Sequence, residues 1–332
     1  MSGATHSEAK RSTWLTAAAW RGLFRDRPLI PLIGLLIVLV FIIALVRPGM
    51  VGPEWAGVIL RTAVPLAILA GCQTLTMLTG GIDLSVGAVA SMSGFVVATL
   101  VSGPGTPAGI IVALVAAALA GFLTGIGVGV FRVHPLIMTL GMSLVVLGFA
   151  NVWQLQMVQT GGGTPDILRW LGSGSFLGVV PHSLLVFVPM AALILLALRR
   201  TGYGRLLYAV GDNPIAARLS GARSWQVLIV LYVISALMAA VAGFLLSGLT
   251  NVASVTLADS YVLPSVAAAV IGGTSIMGGR GGYGGTIVGA LILTVLASLL
   301  SALGFPEAVR QVLFGSIIVA VAAAYTRITA ES

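Results

Sequence analysis

Lysine is almost missing from this chain. Of 17 basic residues in 332, Lys10 alone is a lysine and the rest are arginines. A phosphate-gripping loop of the type Gly-x-x-x-x-Gly-Lys-Ser/Thr needs a lysine beside its glycines, so the chain does not hold a nucleotide by that device. Cysteine is nearly absent as well. Cys72 lies inside an apolar run, which excludes an intrachain disulfide. The three histidines, His6, His134 and His182, are too scattered to form a cluster with metal-ligand spacing. Acidic residues are few, and Glu54, Asp83, Asp166, Asp212, Asp259 and Glu307 fall at the ends of apolar runs or between them. Carriers coupled to protons or sodium place acids within their spans, so any driving force has to come from elsewhere. Charged residues amount to 8%, against about a quarter in soluble chains. No catalytic, cofactor-binding or metal-binding constellation is expected.

What remains is apolar. The chain is 58% hydrophobic and contains 43 glycines, with repeated apolar runs of the length, about 17–25 residues, that a helix needs to cross a bilayer. The expected fold is all-α: a polytopic membrane protein with about ten transmembrane helices, some broken or re-entrant. Spans are expected near 29–46, 57–78, 84–102, 107–131, 135–157, 181–199, 226–248, 261–279, 284–303 and 308–325. Placing the N-terminus inside leaves Arg47, Arg61, Arg169 and Arg310 outside and the other thirteen basic residues in the cytoplasm. That asymmetry orients the chain with both termini cytoplasmic, as in the inner membrane of a bacterium; the arginine, alanine and glycine bias fits a GC-rich genome. The expected organisation is a segment at 1–28, a membrane domain at 29–325 and a tail at 326–332. Within 1–28, Trp14, Leu15, Trp20, Leu23 and Phe24 alternate with Arg21, Arg25 and Arg27. This is either a helix lying on the membrane surface or a disordered basic tail. The first apolar run ends in Arg47-Pro48 rather than a small-residue cleavage site, so no signal peptide is expected.

The loop at 201–223 is the longest polar interval that still looks structured. Asn213-Pro214 reads as a helix start, with Asn as N-cap and Pro in the first helical position. Ile215 to Ser220 gives a short helix, and Gly221 is its stop. Small residues on its face and basic neighbours suit a handle gripped by another protein. Two further segments repeat one design: Gly80-Gly81-Ile82-Asp83-Leu84-Ser85 after the second span, and Gly272-Gly273-Thr274-Ser275 running into Gly278-Gly279 and Gly281-Gly282 after the eighth. Each joins an inward helix to an outward one through glycines, suggesting parallel repeats of spans 1–4 and 7–10, and broken helices in transporters often flank the pathway. Asp83 either caps the third span near the inner surface or belongs to an inner gate or a contact to the 201–223 loop.

Polar side chains inside spans are the remaining candidates. Asn151, Gln154, Gln156 and Gln159 cluster in the outer half of span 5, and Gln73, Thr74 and Thr76 lie in span 2. They serve either as partners for a solute on its pathway or as glue between helices. Gly121, Gly125 and Gly129 mark close helix packing. Residues 159–180 and 251–260 form the outer face, either a docking surface or plain loops with a membrane-skimming stretch at Ile167, Leu168, Trp170 and Leu171.

Three ordered motifs carry a resemblance: Gly-Gly-Ile-Asp-Leu-Ser-Val-Gly at 80–87, Gly-Arg-Leu-Leu-Tyr-Ala-Val-Gly-Asp-Asn-Pro-x-Ala-Ala-Arg-Leu-Ser-Gly at 204–221, and Gly-Gly-Thr-Ser-Ile-Met-Gly-Gly-Arg-Gly-Gly at 272–282. Over residues 29–325 the chain resembles the permease subunits of bacterial ABC sugar importers of the ribose, xylose and galactose class. Ala216-Ala217-x-x-x-Gly221 matches the spacing of that family's ATPase-docking signature, which makes Gly211, Asn213, Pro214, Ala216, Ala217, Arg218 and Gly221 the expected coupling residues. Where the family often has Glu, this chain has Ile215, which removes a salt link to the ATPase. The resemblance implies a second permease copy or a sister permease, a cytoplasmic ATPase carrying ATP and Mg, and an extracytoplasmic sugar-binding protein. Permeation of branched-chain amino acids or another small solute, or ion-coupled carriage, are the alternatives.

Overall fold

The computed structural model describes residues 29–157 and 163–306, with scattered positions from 308 to 316. The expected surface segment at 1–28, Gln159, the tail at 326–332 and much of the tenth expected span lie outside the described residues.

In chain order the helices begin with α1 (Leu29–Val46), α2 (Pro53–Met77), α3 (Val86–Leu100), α4 (Thr106–Gly129) and α5 (Pro135–Met157). A short helix α6 (Asp166–Ser173) and a two-stranded hairpin, β1 (Ser175–Phe176) and β2 (Val180–Pro181), lead into α7 (Leu184–Arg200). Then come α8 (Gly202–Asp212), α9 (Pro214–Leu219), α10 (Ser224–Thr250), α11 (Val262–Ile271) and α12 (Tyr283–Ala302). Among the described residues six helices are long and apolar enough to cross a membrane: α1, α2, α4, α5, α10 and α12. Counting α7 with α8, which meet at a 69° bend, makes seven. The protein is an all-α polytopic membrane protein.

Two expected spans are shorter than drawn. α3 has 15 residues, about 22 Å at 1.5 Å per residue, and falls short of roughly 30 Å of hydrocarbon. The helix expected at 261–279 stops at Ile271. Beyond it Gly273, Gly278, Gly279 and Gly281 have φ between 70° and 125°, left-handed conformations that end a helix and that side chains other than glycine resist.

α10 is the hub. Apolar helices gain nothing from hydrophobic exclusion inside lipid, so they associate by close van der Waals packing through small residues. The glycines of α4 follow that rule: Gly121 lies on the backbone of Tyr232, Gly125 on Ile229 and Gly129 on Trp225. From the other side, Gly243 of α10 lies against the Ala90 carbonyl of α3. Leu231, Ala239, Ala240, Ala242 and Leu246 are consequently inaccessible. α1 is peripheral and rests on α12 through Ile43 and its neighbours, beside Ile59 of α2 and Val295 and Leu299 of α12. The Arg47 guanidinium donates to the Ala302 carbonyl through Nε at 3.1 Å and Nη2 at 3.0 Å. That places a cation at the C-terminal, partially negative end of α12.

The stretch at 163–182 is more built than a loop. α6 buries Leu168 and Gly172 against the last turns of α10, while Ile167 and Trp170 stay exposed. Trp170, Phe176 and His182 form a ring cluster with centroids 4.1–6.4 Å apart.

Candidate functional site

The local reading of 213–221 is met. The Asn213 side chain accepts from Ile215 N–H at 3.1 Å and Ala216 N–H at 3.0 Å, fixing the start of α9. Gly221, at φ 87°, ends it, and Ala222 N–H donates back to the Ala217 carbonyl at 3.0 Å. Arg218 Nε donates to the Pro214 carbonyl at 3.2 Å. The faces differ from expectation. Ala217 is buried and points into the protein, whereas Ile215 and Leu219, one turn apart, are 62% and 85% exposed. Ile215 and Leu219 thus form an exposed aliphatic edge on α9, whereas Ala216 and Ala217 face the cavity behind it. A cavity of about 730 Å³ lies behind α9, bounded by Tyr203 and Leu206 of α8 and by Gln226 and Val230 of α10.

The preceding half of the 201–223 interval is not a loop. α8 buries Gly204, Leu207 and Val210, and Thr201 caps it by accepting from Gly204 N–H at 3.1 Å. The spacing Tyr203, Leu207, Val210 carried a helical signal that the glycines and arginines around it obscured. α8 connects α9 to both glycine breaks. Gly279 N–H donates to the Leu78 carbonyl at 3.0 Å, so the breaks after α2 and α11 are bonded to each other. Gly211, at the end of α8, lies against that very pair: a Cβ there would collide with the Leu78 oxygen and sit 2.8 Å from Gly279 N. Gly278 packs in turn on the Gly211 carbonyl, and Gly279 on Asp212. Tyr208 OH donates to the Gly281 carbonyl at 2.9 Å. Gly211, Gly80, Gly278 and Gly279 thus form one backbone junction.

The first break is pinned by side chains. Asp83 Oδ1 accepts from Ser85 N–H at 3.0 Å and Ser85 Oγ–H at 2.6 Å, and Oδ2 accepts from Ser235 Oγ–H at 2.9 Å. Gln73 donates through Nε2 to the Asp83 carbonyl at 2.7 Å and accepts Asp83 N–H at 3.2 Å. Thr139 of α5 donates to the Ile82 carbonyl and accepts from Leu84 N–H, both at 3.1 Å. Gly81 rests on Pro135 and on the Tyr232 hydroxyl. The carboxylate is 2% exposed, a burial made tolerable by these partners. Asp83 turns the chain towards α3 by accepting from Ser85 N–H but does not cap the helix as expected: Ser85 is the N-cap, and α3 has no side-chain cap hydrogen bond. Asp83 lies deeper than the inner-surface position expected for it, since Ser235 is the twelfth of the 27 residues of α10. Ser235 and Thr139, unremarkable in sequence, are its partners only through tertiary packing.

The second break is held mainly by its own backbone. Ser275 N–H donates to the Arg280 carbonyl and Thr274 N–H to the Ala269 carbonyl, both at 3.0 Å. Gly273 N–H bonds Val270, and Gly272 packs directly on Gly285 and Thr286. Thr74 and Thr286 share a hydroxyl hydrogen bond of 2.6 Å that joins α2 to α12.

The expected pathway residues separate. Gln73 is inaccessible and both ends of its amide are occupied by Asp83; in this structure it is a clamp and lines no passage. Thr74 and Thr76 are equally buried. Asn151 and Gln154 are exposed on α5, beside Val152 at 59% and Leu155 at 78%.

Residues 56–322 match the family model for the permease component of branched-chain amino acid transport systems. The ribose import permease protein of Bacillus subtilis is 34% identical over 289 residues, 87% of this chain and 89% of that protein. The ribose import permease protein of Escherichia coli K12 is 38% identical over 277 residues, covering 81% and 84% of the two chains. The fructose import permease protein of Rhizobium meliloti is 34% identical over 268 residues, covering 79% and 74%. No solved structure matches.

Proposed function

The chain belongs to the family of permease components of branched-chain amino acid transport systems, and we propose that within it this protein is the pore-forming subunit of an ATP-driven ABC importer for a monosaccharide or related small carbohydrate. The sugar assignment draws on the relatives, which are named for ribose and fructose import. The ATP-driven part rests on one observation: the exposed helix α9 continues through α8 into Gly211, which touches both glycine breaks at their mutual hydrogen bond.

The mechanism follows from that connection. A cytoplasmic ATPase carrying ATP and Mg grips α9, whose Ile215 and Leu219 supply an apolar contact in place of a salt link. Nucleotide binding shifts α9 and α8 together, because the Asn213 cap leaves little slack between them. The shift reaches the junction at Gly211 and moves the break at Gly272–Ser275 against the one at Gly80–Ser85. Those breaks act as the inner gate, and Asn151 and Gln154 on α5 face the solute path shared with a second permease copy or a sister permease. Amide side chains exposed on an otherwise apolar helix are costly against lipid, which favours covering α5. An extracytoplasmic binding protein delivers the sugar to the face carrying α6 and the hairpin. The chain acts as a transport subunit rather than an enzyme, and binds no cofactor itself. Ten spans with both termini cytoplasmic in a bacterial inner membrane accord with the arginine distribution.

The decisive test is uptake of a panel of labelled pentoses and hexoses into proteoliposomes containing the permease, its ATPase and its binding protein. Uptake is expected to require ATP inside the assembly; accumulation that continues without the ATPase overturns the reading. The family description favours one second reading, branched-chain amino acids, and labelled leucine in the same vesicles separates it.

A further inference from the structure

At the end of the molecule that carries Arg47 and Ala302, α2, α11 and α12 line a second, partly open cavity of about 480 Å³, within the range of roughly 300–1,000 Å³ usual for small-molecule sites. Its chemistry is unlike that of the rest of the membrane domain. Six of its twelve lining residues carry hydroxyls: Thr62, Ser260, Tyr261, Thr294, Ser298 and Ser301. The others are aliphatic or proline, and among the described lining residues there is no carboxylate, guanidinium or imidazole.

Four of the hydroxyl oxygens have their hydrogen-bonding roles largely settled by the protein. Thr62 donates to the Val58 and Ile59 carbonyls at 3.0 and 3.1 Å, Thr294 to Ala290 at 2.9 Å and Ser301 to Ala297 at 2.9 Å. Ser298 Oγ is fixed by the Trp55 indole, which donates to it at 3.1 Å. A hydroxyl that has given its proton to its own helix keeps lone pairs, and those of Thr62 and Thr294 remain as acceptors beside the cavity. Helix back-bonding alone satisfies a serine or threonine in a membrane, so one such residue would mean little. Convergence of hydroxyls from α2, from α12 and from the turn at Asp259–Tyr261 that precedes α11, with a tyrosine ring among them, is what back-bonding does not require.

A ligand suited to this lining donates several hydrogen bonds, offers an apolar face to Tyr261, Leu66 and Leu293, and carries no charge. An amino acid zwitterion fails the last condition, because burying its ammonium and carboxylate without partners is prohibitive. We propose that the α2–α11–α12 cavity is a binding site for a neutral carbohydrate of monosaccharide size, a stage on the solute's route that lies apart from the glycine junction. This rests on the sugar-import reading given above.

The test uses the full importer in proteoliposomes with its ATPase and binding protein, with labelled ribose, fructose and galactose as probes and uptake counted per assembled complex. Two doubly substituted permeases are compared with the parent: Thr62→Val with Thr294→Val, which removes both hydroxyls at nearly constant volume, and Thr62→Ser with Thr294→Ser, which keeps them. The valine pair is expected to lower sugar uptake roughly tenfold, the size of losing two or three sugar hydrogen bonds. ATP hydrolysis by the complex should persist, and the serine pair should import near the parental rate. Parental uptake by the valine pair overturns the proposal, as does equal loss in both pairs, which would assign the effect to packing. A parent that imports leucine and none of the sugars removes the sugar-import reading itself, and this site with it.

Discussion

The two glycine breaks reverse the chain in the same way and are secured by different means. The break after α2 is tied to three other parts of the protein by side chains, with Asp83, Gln73, Thr139 and Ser235 all engaged. The break after α11 is held by backbone hydrogen bonds, by glycine contacts, by Tyr208 and by the hydroxyls of Thr274 and Ser275, the first shared with Thr286 at 3.4 Å and the second accepting from Met277 N–H at 3.1 Å, and its Met277 is 66% exposed. Polar networks inside a membrane domain rigidify when fully satisfied, whereas a glycine-rich turn with few side-chain ties opens at low cost. In the proposed mechanism the first break is accordingly the anchor and the second the moving part, with Gly211 in contact with both.

The strongest way to break that distinction is to disturb both breaks together. Gly211→Val places a branched side chain where the Leu78 carbonyl already sits. The backbone must shift at a cost of about 1–3 kcal/mol, as in overpacked cores. ATP-dependent uptake should disappear while the protein still reaches the membrane, as fractionation and vesicle transport would report. Uptake at the parental level would show that the junction is not on the coupling route.

Asp83→Ala separates the two. It leaves Ser235 and Ser85 without their acceptor, and each buried unsatisfied group costs about 1–3 kcal/mol. A marked drop in the unfolding temperature of the detergent-purified protein is expected. The matching change in the second break, Thr274→Val, removes the hydroxyl that meets Thr286 at 3.4 Å and should cost less stability. Equal losses in the two variants would erase the difference between anchor and moving part.

How far this design could be read from the residues depends on the range of the interactions. Six of the drawn spans and the cap of α9 were legible, because hydropathy and the pair Asn213-Pro214 act over a few residues. The two glycine segments were legible as breaks for the same reason. Their meeting was not, since a hydrogen bond from Gly279 to Leu78 crosses about 200 positions and leaves no local pattern. Gln73 illustrates the ambiguity: an amide in an apolar run suits a sugar or a backbone clamp equally, and its bonds to Asp83 come from tertiary packing. The aliphatic outer face of α9 was hidden behind the Ala-Ala-x-x-x-Gly spacing, which drew attention to Ala217, a residue that faces inward.

That outer face gives a prediction of intermediate size. Ile215→Asp puts a charge where an apolar contact with the ATPase is proposed, and Leu219→Asp does the same one turn later. Both side chains are exposed, so folding should be nearly unaffected, with changes within about 0.5 kcal/mol. Co-purification of the ATPase should fall, and sugar uptake with it. Retained ATPase together with retained uptake would move the grip to another face of the loop.

The smallest expected effect tests the moving part most directly. Tyr208→Phe removes the hydroxyl that joins α8 to Gly281, at about 0.5–1.5 kcal/mol for one hydrogen bond, and leaves the ring in place. If the second break were a passive turn, that loss would appear only as a slight fall in stability. If α8 moves it, hydrolysis should proceed with less sugar imported per ATP, because the lever then shifts while the break lags behind. The ratio of uptake to hydrolysis in one vesicle preparation is the measurement, and a ratio equal to the parent's assigns Tyr208 to stability alone.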